Sequence, residues 1–166
     1  MKKILLIIFI IIPFSLNAND QAKEGKVAKY VMENIQKEYL NCYSFYKVAA
    51  VSFKKAGKDK NIIDNLESSA DVSLKYTYDL GEIMGFNPEV MSQITKDNVN
   101  NFVELAKKDF SSLAKKYGLL CKNLVENPEQ RTNFWEEKGI TIRIIKIIFF
   151  IYIFSLKLQL KLDLGP

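Results

Sequence analysis

Residues 27–53 read VAKYVMENIQKEYLNCYSFYKVAAVSF, and their spacing decides the fold. Val27, Val31, Ile35, Tyr39, Cys42, Tyr46, Ala49 and Phe53 follow one another at steps of three and four. That rhythm places all eight on one face of an α-helix, with mostly polar side chains opposite. A stripe this complete needs a partner surface along its whole length, so the helix belongs to a core. The predicted helix runs from about Gln21 to Ala56, and Gly57 supplies a left-handed stop.

The same logic extends outward. After the polar link GKDKN, a second helix is predicted from about Asn61 to Met84, with Ile62, Leu66, Ala70, Leu74 and Leu80 inward and Gly85 as its stop. Gly81 should weaken its last turn. Asn87 followed by Pro88 and Glu89 is a helix start: cap, first-position proline, first-turn acid. The third helix, about 88 to 126, keeps Val99, Phe102, Val103, Ala106, Phe110, Leu113, Ala114, Tyr117, Cys121 and Leu124 in register, with Gly118 as a point of bending. Asn127 and Pro128 open a short fourth helix that Gly139 should end. The expected fold class is all-α: an antiparallel bundle of three long helices plus a short fourth, spanning residues 19–138, with an anomalous apolar tail at 139–166.

Composition narrows the chemistry. The net charge of +5 is not spread over the chain: Lys2, Lys3, Arg143, Lys146, Lys157, Lys161 and Asp163 lie outside residues 19–138, which hold 18 basic and 18 acidic residues. A neutral body gives no footprint for a phosphate backbone, so no nucleic-acid partner is expected. There is no histidine, which removes the usual base near neutral pH and the commonest transition-metal ligand. No glycine-rich phosphate loop or serine elbow is present, and the carboxylates fall mostly on solvent faces beside lysines. No enzymatic activity, catalytic residue, metal or cofactor is expected.

MKKILLIIFIIIPFSLNA, residues 1–18, reads as a secretory signal peptide: two lysines, an apolar run from Ile4 to Ile12, Pro13 and Ser15 as a break, and small Ala18 before the cut. Its apolar run is short for a span that needs roughly 20 residues. Export places the body in the periplasm or outside the cell, where Cys42 and Cys121 could either pair or stay as buried thiols. A bridge would close a loop worth roughly 4–5 kcal/mol at most. Both cysteines lie on core stripes, yet in a simple up-down bundle the first and third helices run parallel and set them at different heights. Pairing therefore needs an offset register, or a third helix that breaks at Gly118 and folds back.

Two side-chain groups stand out. Tyr39, Tyr43 and Tyr46, faced by Tyr76 and Tyr117, either line a slot for a small apolar or aromatic ligand or form a core whose hydroxyls reach water. Arg131 and Trp135 are four apart and so adjacent on the fourth helix. They are either a partner-facing hot spot or a staple that holds that helix to the bundle. Together, CYSFY (42–46), YGLLCK (117–122) and PEQRTNFW (128–135) resemble small exported helical proteins of bacteria and their phages. That resemblance implies a paired Cys42 and Cys121 and a domain ending near Lys138, and it implies no activity.

The tail has its own pattern. Eight of residues 140–153 are isoleucine, and the run from Ile147 to Leu156 is flanked by Lys146 and Lys157. Ten residues of helix cover about 15 Å, half of a roughly 30 Å hydrocarbon core. LKLQLKLDL (156–164) then alternates with period two, a strand pattern. The readings are a short or tilted anchor, with membrane contact through 140–164, a strand or extra helix packed on the bundle, or a non-native extension such as out-of-frame translation of AT-rich coding sequence. The expected function is an exported helical interaction module of the bacterial envelope that meets another envelope protein. The alternative is a carrier of a small apolar or aromatic ligand between its helices.

Overall fold

The computed structural model describes the backbone of residues 16–163 and the side chains of residues 25–154. It is all-α: α1 (Leu16–Lys55), α2 (Lys60–Ile83), α3 (Pro88–Glu126) and α4 (Pro128–Asp163) form a helical bundle, with no strand among the described residues. Most of the leader assignment, residues 1–15, lies outside the described residues. The chain divides into two compact units, residues 31–135 and a second made of the segments up to Tyr30 and from Glu136.

The connections within residues 31–135 form as their residue types require. Gly57 (φ 64°) and Gly85 (φ 79°) adopt the left-handed backbone that ends a helix. Asp59 accepts a hydrogen bond from the Asn61 N–H at 2.7 Å, and Asn87 accepts one from the Glu89 N–H at 2.7 Å. Each satisfies one of the donors that a helix start leaves open.

The third helix is not straight. Asp109 has φ −161° and ψ 91°, an extended residue inside α3. The rings of Phe102 and Tyr117 lie 4.8 Å apart, whereas fifteen residues of unbroken helix would separate them by about 22 Å. Residues 88–108 and 110–126 are therefore two arms of a hairpin that turns at Asp109. Its carboxylate caps the second arm, accepting from the Ser112 N–H at 3.0 Å and the Ser112 hydroxyl at 2.5 Å. The predicted fold-back is present, but Gly118 does not make it. Gly118 sits within the second arm, where a Cβ would meet only the Phe45 ring at 4.0 Å.

The hairpin resolves the cysteine geometry. The first arm runs parallel to α1: Gln36 reaches Met91, and Asn98 reaches Leu40 and Ser44. The second arm returns antiparallel, with Phe110 against Phe53 and Tyr117 against Phe45. Cys121 thereby arrives beside Cys42, and the two form a disulfide with a Cα–Cα distance of 5.3 Å. Both are completely buried, in a core with Ile35, Tyr39, Phe45, Tyr46, Phe102, Leu113 and Leu124.

On α2 the buried face differs from the predicted one. Ala70, Ser73, Thr77 and Gly81 are buried, at steps of three and four, while Ile62 is exposed and Leu66 and Leu80 pack at the margin. This is a seam of small side chains that lets neighbouring helices approach. Its hydroxyls bond back to their own helix, Ser73 to the Ser69 carbonyl and Thr77 to the Ser73 carbonyl, each at 2.8 Å, so no polar atom there is stranded. Gly81 is the site of closest approach, because a Cβ there would stand 2.9 Å from the Met91 sulfur.

In the second unit, Gly139 does not end a helix. α4 continues unbroken through it to Asp163, so the fourth helix is long, and the alternating segment from Leu156 to Asp163 is helical as well. A Cβ at Gly139 would meet Val27 at 3.1 Å and Tyr30 at 3.2 Å. The glycine is needed because α1 and α4 touch there, and its backbone stays helical.

Candidate functional site

The predicted tyrosine group is brought together only in part, and it is packed. Tyr39 and Tyr46 are buried, and Tyr39 stacks on Tyr76 with ring centroids 4.8 Å apart. Tyr43 is half-buried near Asp71 and Tyr78. Tyr117 lies against Phe45 and Phe102, and Phe45 stands between it and Tyr46. Neither of the two clefts described below is lined by any of these five tyrosines.

Burial sets their titration. Desolvation pushes the Tyr39 phenol up from 10.0 to about 12, with the neighbouring Tyr76 adding to it. The Tyr46 phenol rises to about 12 for the same reason, opposed by a hydrogen bond with Ser69. Because the folded values lie above the unfolded one, the stability held by keeping these phenols neutral is complete below about pH 10. It is lost as the pH climbs through about 12. In an alkaline titration followed by phenolate absorbance, at least two of the eight tyrosines should ionise late, together with loss of helicity. Ionisation of all eight in one step near pH 10, with helicity intact, would contradict this burial.

Arg131 and Trp135 are neighbours on α4, and the structure adds a third residue. The guanidinium makes a two-pronged ion pair with Glu38 on α1: Nε donates to Oε2 at 2.7 Å and Nη2 donates to Oε1. The Arg131 side chain is 25% exposed and that of Glu38 only 11%. The guanidinium also lies over the Phe134 ring at 4.1 Å and the Trp135 ring at 5.4 Å. Fork geometry and ring stacking both suit arginine and not lysine. Trp135 packs against the core, so this cluster ties the start of α4 to α1. Glu38 carried no distinguishing signal in the sequence, since it is one carboxylate among many on a largely polar stretch. Asn98, which donates to Ser44 at 2.9 Å and to the Leu40 carbonyl at 3.2 Å, was equally hidden.

Two open clefts stand out among the described residues. One, of about 460 Å³, lies beside Lys115, Lys116, Asn123 and Arg131; its arginine is already engaged by Glu38. The other, of about 540 Å³, lies between the N-terminal part of α1 and α4. Gly139, Ile142, Arg143, Lys146, Ile147 and Phe150 reach it from α4 at alternating steps of three and one, one face of that helix. Every isoleucine and aromatic residue from Ile144 to Phe154, Ile147 and Phe150 at the cleft included, is exposed, Phe149 and Phe150 at 64% and 73%. Among the described residues no helix is long and apolar enough to cross a membrane, and no group of three or more acidic or cysteine side chains could hold a metal ion.

No protein-family model, curated protein or solved structure matches this chain.

Proposed function

We propose that the chain is an exported, non-enzymatic helical interaction module of the bacterial envelope. The observation that carries this reading is the exposed apolar surface of α4 from Ile144 to Phe154, larger than scattered surface hydrophobics require. It continues from a helix whose first turns are held by an ion pair and ring stacking. The Cys42–Cys121 disulfide supports an oxidising compartment, as do the leader-like residues 1–18 and the likeness of the cysteine-bearing segments to small exported helical proteins.

Cell fractionation tests the reading. The full-length chain, expressed in a bacterium, should be recovered oxidised and with the envelope. The triple variant Ile148→Glu/Phe149→Glu/Ile151→Glu, at three exposed positions, should shift to the soluble fraction. Full-length protein recovered in the cytosol, or an envelope yield that ignores the triple variant, would overturn it.

A further inference from the structure

The geometry points to the cleft between α1 and α4 as a seat for an acidic lipid headgroup, through which α4 lies on a bilayer carrying anionic lipids. This rests on the interaction-module reading and names the surface that the module meets. The cleft is of ligand size, about 540 Å³, and has the make-up of a binding site, apolar walls with a few polar groups. Val27, Ile142, Ile147 and Phe150 supply the walls. Among the described residues the charged lining is cationic: Lys26 from α1, and Arg143 and Lys146 from α4.

None of those three makes an ion pair among the described residues. Among the described residues the cations are therefore available to an outside anion. Arg143 and Lys146 sit on the same helical face as Ile142, Ile147 and Phe150, so a bound acid group would have apolar surface directly beside it for an acyl chain. Long cationic side chains suit this boundary, because the stem packs on apolar surface while the head stays with the polar layer.

The rest of α4 agrees with a helix in the plane of the interface. Its residues from Ile144 to Phe154 are exposed and almost wholly apolar, yet among the described residues it is not long and apolar enough to cross a bilayer. Such helices bind by burying an apolar face in the headgroup boundary and by attraction of basic side chains to anionic lipids. A soluble protein partner could cover isoleucines and phenylalanines, but it would have to bring an acid group to the three unpaired cations as well. An anionic bilayer presents both at once.

Flotation of the purified full-length protein with vesicles tests this. The protein should float with vesicles of mixed phosphatidylglycerol and phosphatidylcholine far more than with phosphatidylcholine alone, and the difference should shrink as salt is raised. Arg143→Gln/Lys146→Gln should weaken binding to the anionic vesicles by roughly tenfold or more at low salt. The charge-matched control Lys96→Gln/Lys108→Gln, at exposed positions on α3, should bind almost as the parent does. Equal flotation with both vesicle types, or equal losses in the two double variants, would overturn the lipid seat and leave the module reading standing. So would a protein that floats with neither, whether because the α4 faces are buried in self-assembly or because the envelope partner is a protein. The module reading fails separately, in the fractionation experiment.

Discussion

Replacing both cysteines by alanine is expected to lower the stability of the bundle by about 4 kcal/mol, with a range of about 2–5. Cys42 and Cys121 are 79 residues apart, so the bridge closes a loop that contains α2, the first arm of the α3 hairpin and most of the second. Loop-closure entropy for that length comes to about 4.5 kcal/mol at 25 °C, against a total of only about 5–15 kcal/mol for typical domains. Alanine is the right replacement. Both positions are fully buried, and serine would add hydroxyls whose desolvation is a separate cost. Urea unfolding of the parent with and without reductant, beside the double variant, separates the contributions. Reduced parent and double variant should unfold at similar, lower urea concentrations. A midpoint that ignores reductant would show that the bridge constrains little.

Arg131→Ala should be nearly as damaging, with a loss of about 3 kcal/mol. The change strands the Glu38 carboxylate at the interface of α1 and α4, where its side chain is 11% exposed. It also removes a guanidinium that covers two aromatic rings. Arg131→Lys should recover only a minor part, because an ammonium cannot make both hydrogen bonds or stack as a plane. The informative comparison is Glu38→Leu/Arg131→Met, since removing both charges leaves no buried ion to solvate. Most of the lost stability should return in that double variant. If it unfolds as readily as Arg131→Ala does, packing of the arginine stem, and not the stranded carboxylate, is what matters.

How far the fold could be read in advance depends on the kind of signal each element carries. The α1 stripe was legible because Ile35, Tyr39, Cys42, Tyr46 and Ala49 are large or distinctive and face one core. The hairpin in α3 was not placed correctly, and the reason is geometric. Both arms turn the same kind of face toward α1, so the three-and-four rhythm from Val103 through Phe110 to Tyr117 continues across Asp109 as if the helix were straight. The local signal was there, an aspartate with a serine three residues on, but a capping pair looks the same on an exposed helical surface.

Glycine was the other source of error. A glycine can mark a left-handed stop, as Gly57 and Gly85 do, or a place where two helices touch, as Gly81 and Gly139 do. Sequence does not separate the two uses, so Gly139 read as an end and α4 was cut short. On α2 the buried seam of Ala70, Ser73, Thr77 and Gly81 escaped notice because small and hydroxyl-bearing side chains carry little hydropathy. The candidate site suffered for a related reason. Arg131 was visible as the only arginine in residues 19–138, but its partner Glu38 lies 93 positions away and nothing local marks it. The cleft between α1 and α4 joins residues far apart in the chain, which no local pattern announces.

The one-residue turn at Asp109 also makes the chain intolerant of length changes. A longer loop could absorb an inserted or deleted residue, but here the helix resumes at once on either side. One residue added between Phe110 and Lys116 would rotate everything after it in that arm by about 100° and advance it by about 1.5 Å. Cys121 would then point away from Cys42, Tyr117 would leave Phe102, and Arg131 would turn from Glu38. In genetic terms, codons 110 to 116 can vary in identity along their outer face, but their number is fixed.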